Sequence, residues 1–461
     1  MGIYGALSTA VSGLRAQAFA LETISGNIAN SQTTGFKRIE TSFIDLIPDA
    51  PVKRQTPGAV LAQSRGTNNV QGDINTASTE TFMALNGSGF FVVEPSIGQS
   101  DGNAEFSGSN FYTRRGDFDV DKSGYLVNGA GYYLKGMSID QSTGNISGSV
   151  PTVIKLSNAF LPARQTDRVD YQLNLPQLPK NAGYQVGVPD SELLDPANYN
   201  NDPTAAGALN GFVQAADNTL FLENSIAGGA VTVYASNGAP VDMQMRWAKI
   251  DSAATGGTDT WNLFYLSNST ATGANAMWTN VDVATDYVFG ANGSLSPAIT
   301  TTNLTGVSVN GVAVGNIDLQ HGTNGVTQFA DANGSANVSS LSQNGYGAGE
   351  FVSVAINDRG RVVASYSNGQ QVEQAQVVTA NFNGINQLKR MDGGVFAATS
   401  ESGVAILSTD SGITGAALES SNTDISEEFT KLIVTQQAYA AGTRIVSTAD
   451  EMLQEALNMV R

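Results

Sequence analysis

Ile425-Ser426-Glu427-Glu428-Phe429-Thr430-Lys431-Leu432 opens the stretch whose reading decides the fold. From it the positions Ile425, Phe429, Leu432, Gln436, Tyr439, Thr443, Val446, Asp450, Leu453, Leu457 and Val460 recur in alternating steps of four and three. The other end of the chain repeats the pattern through Leu7, Val11, Leu14, Ala18, Leu21, Ser25 and Ile28. A mean spacing of 3.5 residues marks a coiled-coil seam rather than a helix lying on a globular core. Neither end helix has a partner beside it in sequence. Each is therefore expected to pair with the other, or with a copy on another subunit. The residues expected to carry assembly are Leu7, Val11, Leu14, Leu21 and Ile28 on the first helix. On the second they are Ile425, Phe429, Leu432, Tyr439, Val446, Leu453 and Leu457.

Between the ends the chain reads as β. It has 461 residues, enough for several cores, with 50 Gly and only 14% charged residues. An average soluble protein carries about 25% charged residues, so turns and short strands are expected here, and 41% hydrophobic content is ample for burial. A net charge of −18, with 23 Lys plus Arg dispersed along the chain, excludes a nucleic-acid partner. Zero Cys removes disulfides and thiolate metal sites. No apolar run approaches the roughly 18 residues of a membrane span, and the N-terminal segment lacks the layout of a secretory signal. Met1-Gly2 begins like a myristoylation site, but Ala6 stands where Ser or Thr is wanted. Export, if it occurs, is expected without a cleaved signal peptide.

Changes of texture divide the chain. Residues 1–35 with 420–461 form the helical terminal part. Residues 36–80, with Pro48, Pro51 and Pro57, are expected to be an extended, irregular connection. Residues 81–157 with 348–419 are expected to close one β-rich inner domain. Within it Leu85-Asn86-Gly87 signals a hairpin, as do the turns at Asp121-Lys122-Ser123-Gly124 and Asp358-Arg359-Gly360. Residues 158–347 hold all three Trp and many Asn-Gly turns. Their 15 Asp plus Glu against 5 Lys plus Arg give a net of −10. This segment is expected to be an inserted, solvent-facing β-rich domain. The fold class is thus mainly β with paired terminal α-helices, nested, with a helical coiled-coil core and β-rich outer domains.

Ser25-Gly26-Asn27-Ile28-Ala29-Asn30, continuing through Thr33-Thr34-Gly35-Phe36-Lys37, resembles the N-terminal signature of the bacterial flagellar axial proteins, the rod, hook and hook-associated family. Gly26 and Ala29 permit close helix approach, Asn30, Thr33 and Gly35 break the helix, and Phe36 anchors the departing chain. The motif residues are Asn27, Ala29, Asn30, Thr33, Gly35 and Phe36; any one alone would be an ordinary helix end. Gln71-Gly72-Asp73, Tyr112-Thr113-Arg114-Arg115-Gly116-Asp117-Phe118 and Leu418-Glu419-Ser420-Ser421-Asn422-Thr423-Asp424 agree with the resemblance, which covers roughly 1–135 and 350–461.

Within the family, rod members generally lack a large insertion, so this one points to the hook branch. A junction or distal rod protein is the alternative, and a secreted acidic β-rich adhesin a remoter one. The resemblance implies a self-assembling homopolymer, a curved flexible tube that transmits torque in the extracellular flagellum. It implies rod and hook-associated junction proteins, a hook cap and the type III export apparatus as partners. It implies no cofactor, no membrane insertion and no enzymatic activity.

Three patterns invite chemistry and are outweighed. Asp117, Asp119 and Asp121 alternate like a calcium loop, but Lys122 and Asn128 occupy the places of its Gly and bidentate Glu, so a hairpin turn is favoured. Gly87-Ser88-Gly89 is half a dinucleotide fingerprint with no helix after it. His321, the only His, lies in a turn-like stretch without a nucleophile elbow and is expected at the surface. No carboxylate pair at informative spacing supports a glycosidase.

Overall fold

The computed structural model describes residues 3–46, 59–100, 103–140, 143–410 and 412–459. Met1, Gly2, Pro48, Pro51, Pro57 and Val460 lie outside the described residues. The architecture is mostly strand, with a long helix at each end: α1 spans Ile3–Ala29 and α3 spans Ile425–Met459. A short α2, Asn218–Glu223, lies between them. The chain forms two compact units, residues 1–159 with 351–461, and residues 160–350.

In the first unit, α1 and α3 pack against each other, and a β-hairpin lies on α1. The hairpin joins β1 (Ile39–Leu46) to β2 (Ala59–Gly66) in continuous antiparallel register, Ile39 opposite Gly66 and Leu46 opposite Ala59. This corrects the expectation of an irregular 36–80 segment. All three prolines fall in sequence between the two strands, outside the described residues.

The rest of the unit is built on a fourteen-stranded sheet. Strand Phe90–Ser100 pairs with Phe111–Thr113, Tyr132–Ile139 and Thr379–Asn381, and Tyr132–Ile139 also pairs with Gln371–Val377. Strands from before and after residues 160–350 therefore share one ladder. Their inward faces bury Phe91, Val93, Leu134, Val362 and Val377 in a common core.

The turns divide. Asp121-Lys122-Ser123-Gly124 joins Phe118–Val120 to Leu126–Asn128, and Asp121 Oδ1 accepts from the backbone N–H groups of Ser123 and Tyr125. Asp358-Arg359-Gly360 closes Phe351–Ile356 on Arg361–Tyr366. Asn86-Gly87 is not a hairpin. Met83–Leu85 pairs with Ile413–Gly415 instead, while Phe90 enters a different ladder. Neither flanking strand pairs with the other: one takes Ile413–Gly415, and the other takes Phe111–Thr113, Tyr132–Ile139 and Thr379–Asn381, which a local turn signal cannot report.

The second unit packs a five-stranded sheet on a six-stranded one. Tyr171, Leu173 and Leu319 of the first sheet meet Met245, Trp247 and Trp261 of the second in one core. The Trp247 indole N–H donates to the Tyr171 hydroxyl at 2.8 Å, and that hydroxyl donates to the Gly228 carbonyl at 2.6 Å. Trp278 lies in a smaller cluster with Phe221 and Phe264. The bridges Leu161 to Gly349 and Arg164 to Tyr346 hold the unit's entering and leaving strands together.

His321 corrects the expectation of a surface residue, because it is fully buried in this core. Its Nδ1 lies 2.9 Å from the Tyr171 carbonyl, so Nδ1–H donates there and Nε2 accepts from the Tyr287 hydroxyl at 3.0 Å. With the Thr302 hydroxyl 3.4 Å from Nε2 as a further neighbour, these hydrogen bonds make a buried imidazole tolerable.

Candidate assembly site: the end helices and the buried node at their base

α1 and α3 run antiparallel. Asn27 meets Glu428 near one end of the contact, while a Cβ on Gly442 would come within 2.9 Å of Leu14 further along. The contact takes in part of each expected seam and leaves part of it outside. On α1 the buried residues are Ala16, Ala20, Ile24 and Asn27. Leu7, Leu14, Leu21 and Ile28 are half-buried beside them, and Val11 is exposed.

On α3 the buried residues are Glu428, Thr435 and Ala449, with Leu432, Gly442, Val446 and Leu453 half-buried along the same line. Ile425, Phe429, Tyr439 and Leu457 are exposed. Small residues make the intramolecular contact because they let two backbones approach. The remaining large apolar residues of α3 are left outside. Ile433, Val434, Ile445 and Met452 join them, so that α3 presents large apolar side chains around most of its circumference.

The motif residues converge on the junction below the helices. Asn27, 3% exposed, accepts from the Ile39 N–H at 3.0 Å and donates to the Ile39 carbonyl at 2.8 Å, as a neighbouring strand would. It also donates to Glu428 at 3.0 Å. One side chain thereby ties α1 to β1 and to the first turn of α3. Asn30 donates back to the Gly26 carbonyl, closing the helix end, and accepts from the Thr33 hydroxyl. Gly35 sits at φ +65° with its N–H on the Glu419 carbonyl at 2.7 Å. A Cβ there would lie 2.7 Å from the Arg114 backbone, so glycine is required by conformation and by space. The Phe36 ring packs under the Arg390 guanidinium, 4.8 Å from its centroid. Ala29 is exposed and contributes no described contact.

The residue that gathers this junction was not predicted. Glu419 is fully buried; its carboxylate takes the Lys37 ammonium at 2.5 Å on one oxygen and the Arg114 guanidinium at 3.0 Å on the other. The Gly72 N–H adds a third donor at 2.9 Å. Lys37 also donates to the Val70 carbonyl, and Arg114 to those of Leu85 and Gly87. Burial pulls the Lys37 amine below its ordinary value, against the attraction of Glu419.

Asn422 fastens the returning strand, accepting from the Arg38 N–H at 2.7 Å and donating to the Val70 carbonyl. Asp424 caps α3 through the N–H of Ser426 at 2.8 Å. At the rim Glu427 is held down to about 2 by Lys431 and Arg38, both hydrogen-bonded to it. Lys37, Arg114, Glu419 and Asn422 all stood inside quoted motifs. What hid their roles was a separation of up to 384 residues between partners.

The site consists of polar groups turned on one another and apolar groups turned outward. Among the described residues no group of three or more His, Cys, Asp or Glu could hold a metal ion, and no described helix is long and apolar enough to cross a membrane.

Comparison with known proteins matches these regions. Residues 7–37 match the flagella basal body rod protein family, and residues 414–459 match the flagellar basal body rod FlgEFG protein C-terminal family. Residues 84–155 match the flagellar hook protein FlgE/F/G D1 domain, and residues 224–346 the flagellar basal body protein FlaE D2 domain. The flagellar hook protein FlgE of Brucella suis is 30% identical, covering 100% of both chains. That of Salmonella typhimurium is 31% identical over 98% of this chain and 99% of its own. The crystal structure of Helicobacter pylori flagellar hook protein FlgE2 covers 75% of this chain and 100% of that chain, at 14% identity and a TM-score of 0.49. Sharing close to a third of its residues with hook proteins from end to end, this chain belongs to the flagellar hook protein family.

Proposed function

We propose that this chain is the structural, non-enzymatic subunit of the bacterial flagellar hook, polymerising in many copies into a curved tube that passes torque along the flagellum. The observation that carries the reading is the division of the end helices, with small residues such as Ala16, Ala20, Gly442 and Ala449 on the faces they share and large apolar side chains of α3 outward. Phe429, Ile433, Val434, Ile445, Met452 and Leu457 are 49% to 70% exposed on one helix. Burying one such side chain stabilises by roughly 1.5–3 kcal/mol, so copies packed side by side would gain at every helix. The helical core is then a coiled-coil-like layer in which the expected outer seam residues meet neighbouring copies.

The nested reading follows the chain path. Residues 1–35 with 420–461 form the core, 36–80 the connection, 81–157 with 348–419 the inner domain and 158–347 the outer one. The acidity of the outer segment suits an outward position. Export through the type III apparatus, and contacts with rod, junction and cap proteins, come with family membership. Few charged contacts would have to break as neighbours slide, which supports compliance under bending.

Negative-stain microscopy of the purified chain at rising concentration tests the proposal. Tubes are expected, and they should vanish when residues 425–461 are removed. Tubes formed by the truncated chain would overturn the assignment of the end helices to the polymer core.

A further inference from the structure

Strand Phe90–Ser100 sets Glu94 opposite Tyr133 on one neighbour and Val93 opposite Phe111 on the other. This brings Glu94, Lys135 and Asn110 to one rim of the sheet. Lys135 Nζ lies 2.9 Å from Glu94 Oε2 and 2.8 Å from Asn110 Oδ1. Glu94 and Lys135 are 2% and 6% exposed, and the other Glu94 oxygen is held by the Gly108 N–H. Asn110 is exposed as a residue but turns its amide carbonyl inward to the lysine. An amine, an amide carbon one bond beyond the oxygen it contacts, and a carboxylate able to move protons are thus held together.

We propose that Lys135 and Asn110 join in an intramolecular isopeptide bond, with Glu94 as the proton carrier. Glu94 takes a proton from the Lys135 ammonium, and the freed amine attacks Asn110 Cγ, forming a C–N bond. A second Nζ proton passes through Glu94 to the amide nitrogen, and the original Cγ–N bond breaks. Ammonia leaves through the exposed side and carries off the remaining proton as ammonium, which restores the carboxylate. Net, one ammonium side chain and one carboxamide become one secondary amide and one ammonium ion, with no redox change.

Fixing the reactants at contact distance supplies the orientation that free amines and amides lack in water. The other buried lysines lack one of the three groups. Lys249 contacts Asp259, the Gln177 carbonyl and Ser252, with no amide side chain. Lys37 contacts Glu419 and the Val70 carbonyl. The bond would tie the Tyr132–Ile139 strand to the residue preceding Phe111–Thr113, across the strand between them, so that pulling could not unzip that ladder.

Intact mass spectrometry of the purified full-length chain, followed by tryptic peptide sequencing, tests this. The expected mass is that of the sequence less one ammonia, with a branched peptide joining Lys135 to Asn110. Glu94→Gln and Asn110→Ala should each restore the full sequence mass while circular dichroism shows a folded chain. A wild-type chain at full mass with the two residues in separate peptides overturns the proposal. So does an Asn110 recovered as Asp, or an ammonia loss that persists in Asn110→Ala.

Discussion

At the scale of single residues, Glu419 decides more than its neighbours because two cations depend on it. Glu419→Gln would leave Lys37 and Arg114 buried with no counter-charge. Breaking a buried ion pair by removing one partner costs about 3–5 kcal/mol. Because all three Trp lie within 160–350, their fluorescence reports the second unit alone. Calorimetry of Glu419→Gln should show the transition of the first unit lowered by several degrees, while the fluorescence midpoint stays put. Equal shifts in both signals would show that the node is not local to its unit.

His321 gives the second unit the opposite handle. Burial lowers its pKa from the ordinary 6.5, against the hydrogen bond to Tyr171. The folded state therefore prefers the neutral ring. The stability this represents is fully present above about pH 6.5 and is lost as pH falls below it. Between pH 7.5 and 5.5 the Trp-reported midpoint should drop in the wild type, and more steeply than in His321→Gln. Parallel pH profiles would mean that other groups set the slope. Neither residue's role was legible in sequence. The Leu418-Glu419-Ser420 string was visible as a motif, but a carboxylate's partners 305 and 382 residues away leave no local trace. The turn-like surroundings of His321 concealed a strand end that inserts its ring into a core.

At the scale of elements, the two helices were legible in existence, length and period, but not in which face does what. The periodicity of large apolar residues found a stripe on each helix. The structure divides each stripe, leaving Leu432, Val446 and Leu453 half-buried toward α1 and Phe429, Tyr439 and Leu457 outside. The intramolecular face is completed by Ala16, Ala20, Gly442 and Ala449, whose small size permits contact and whose weak hydrophobicity escapes a pattern search. The β1–β2 pairing was missed because Pro48, Pro51 and Pro57, between the two strands in sequence, dominated the reading of the whole stretch.

A substitution on the outer face separates folding from assembly. Val434, 61% exposed in the single chain, should tolerate Val434→Glu with a melting curve unchanged to within about 0.5 kcal/mol, as for an ordinary surface position. In a packed layer the same carboxylate would be buried without a partner, at a cost of several kcal/mol per copy. Sedimentation at rising concentration should show the variant soluble where the wild type pellets as polymer. A variant that pellets normally would place Val434 on solvent in the assembled state.

At the scale of the whole molecule, the chain divides into two compact units at 159/160 and 350/351. What sequence could not show is how complete the second unit is. Its principal core draws on residues 169–326 and its smaller one on residues 194–278, so neither needs a side chain from outside. Its ends are bridged to each other at Leu161–Gly349 and Arg164–Tyr346, so cutting the chain there releases little ordering that the bridges do not already enforce.

A segment with its own core and closed ends is expected to fold by itself. Residues 160–350 expressed alone should therefore unfold cooperatively by Trp fluorescence, with a midpoint close to that of the same signal in the full chain. The Asn310-Gly311 turn offers a control within the fragment. Both residues take positive φ, +50° and +82°, between strands Thr301–Val309 and Val312–Gln320. Asn310→Val would force a β-branched residue into that conformation, at a cost on the order of 1–3 kcal/mol. The midpoint should fall by the same amount in the fragment and in the full chain if the unit is autonomous. A fragment that unfolds without a cooperative transition, or a substitution felt only in the full chain, would show that its stability is borrowed from the remainder of the subunit.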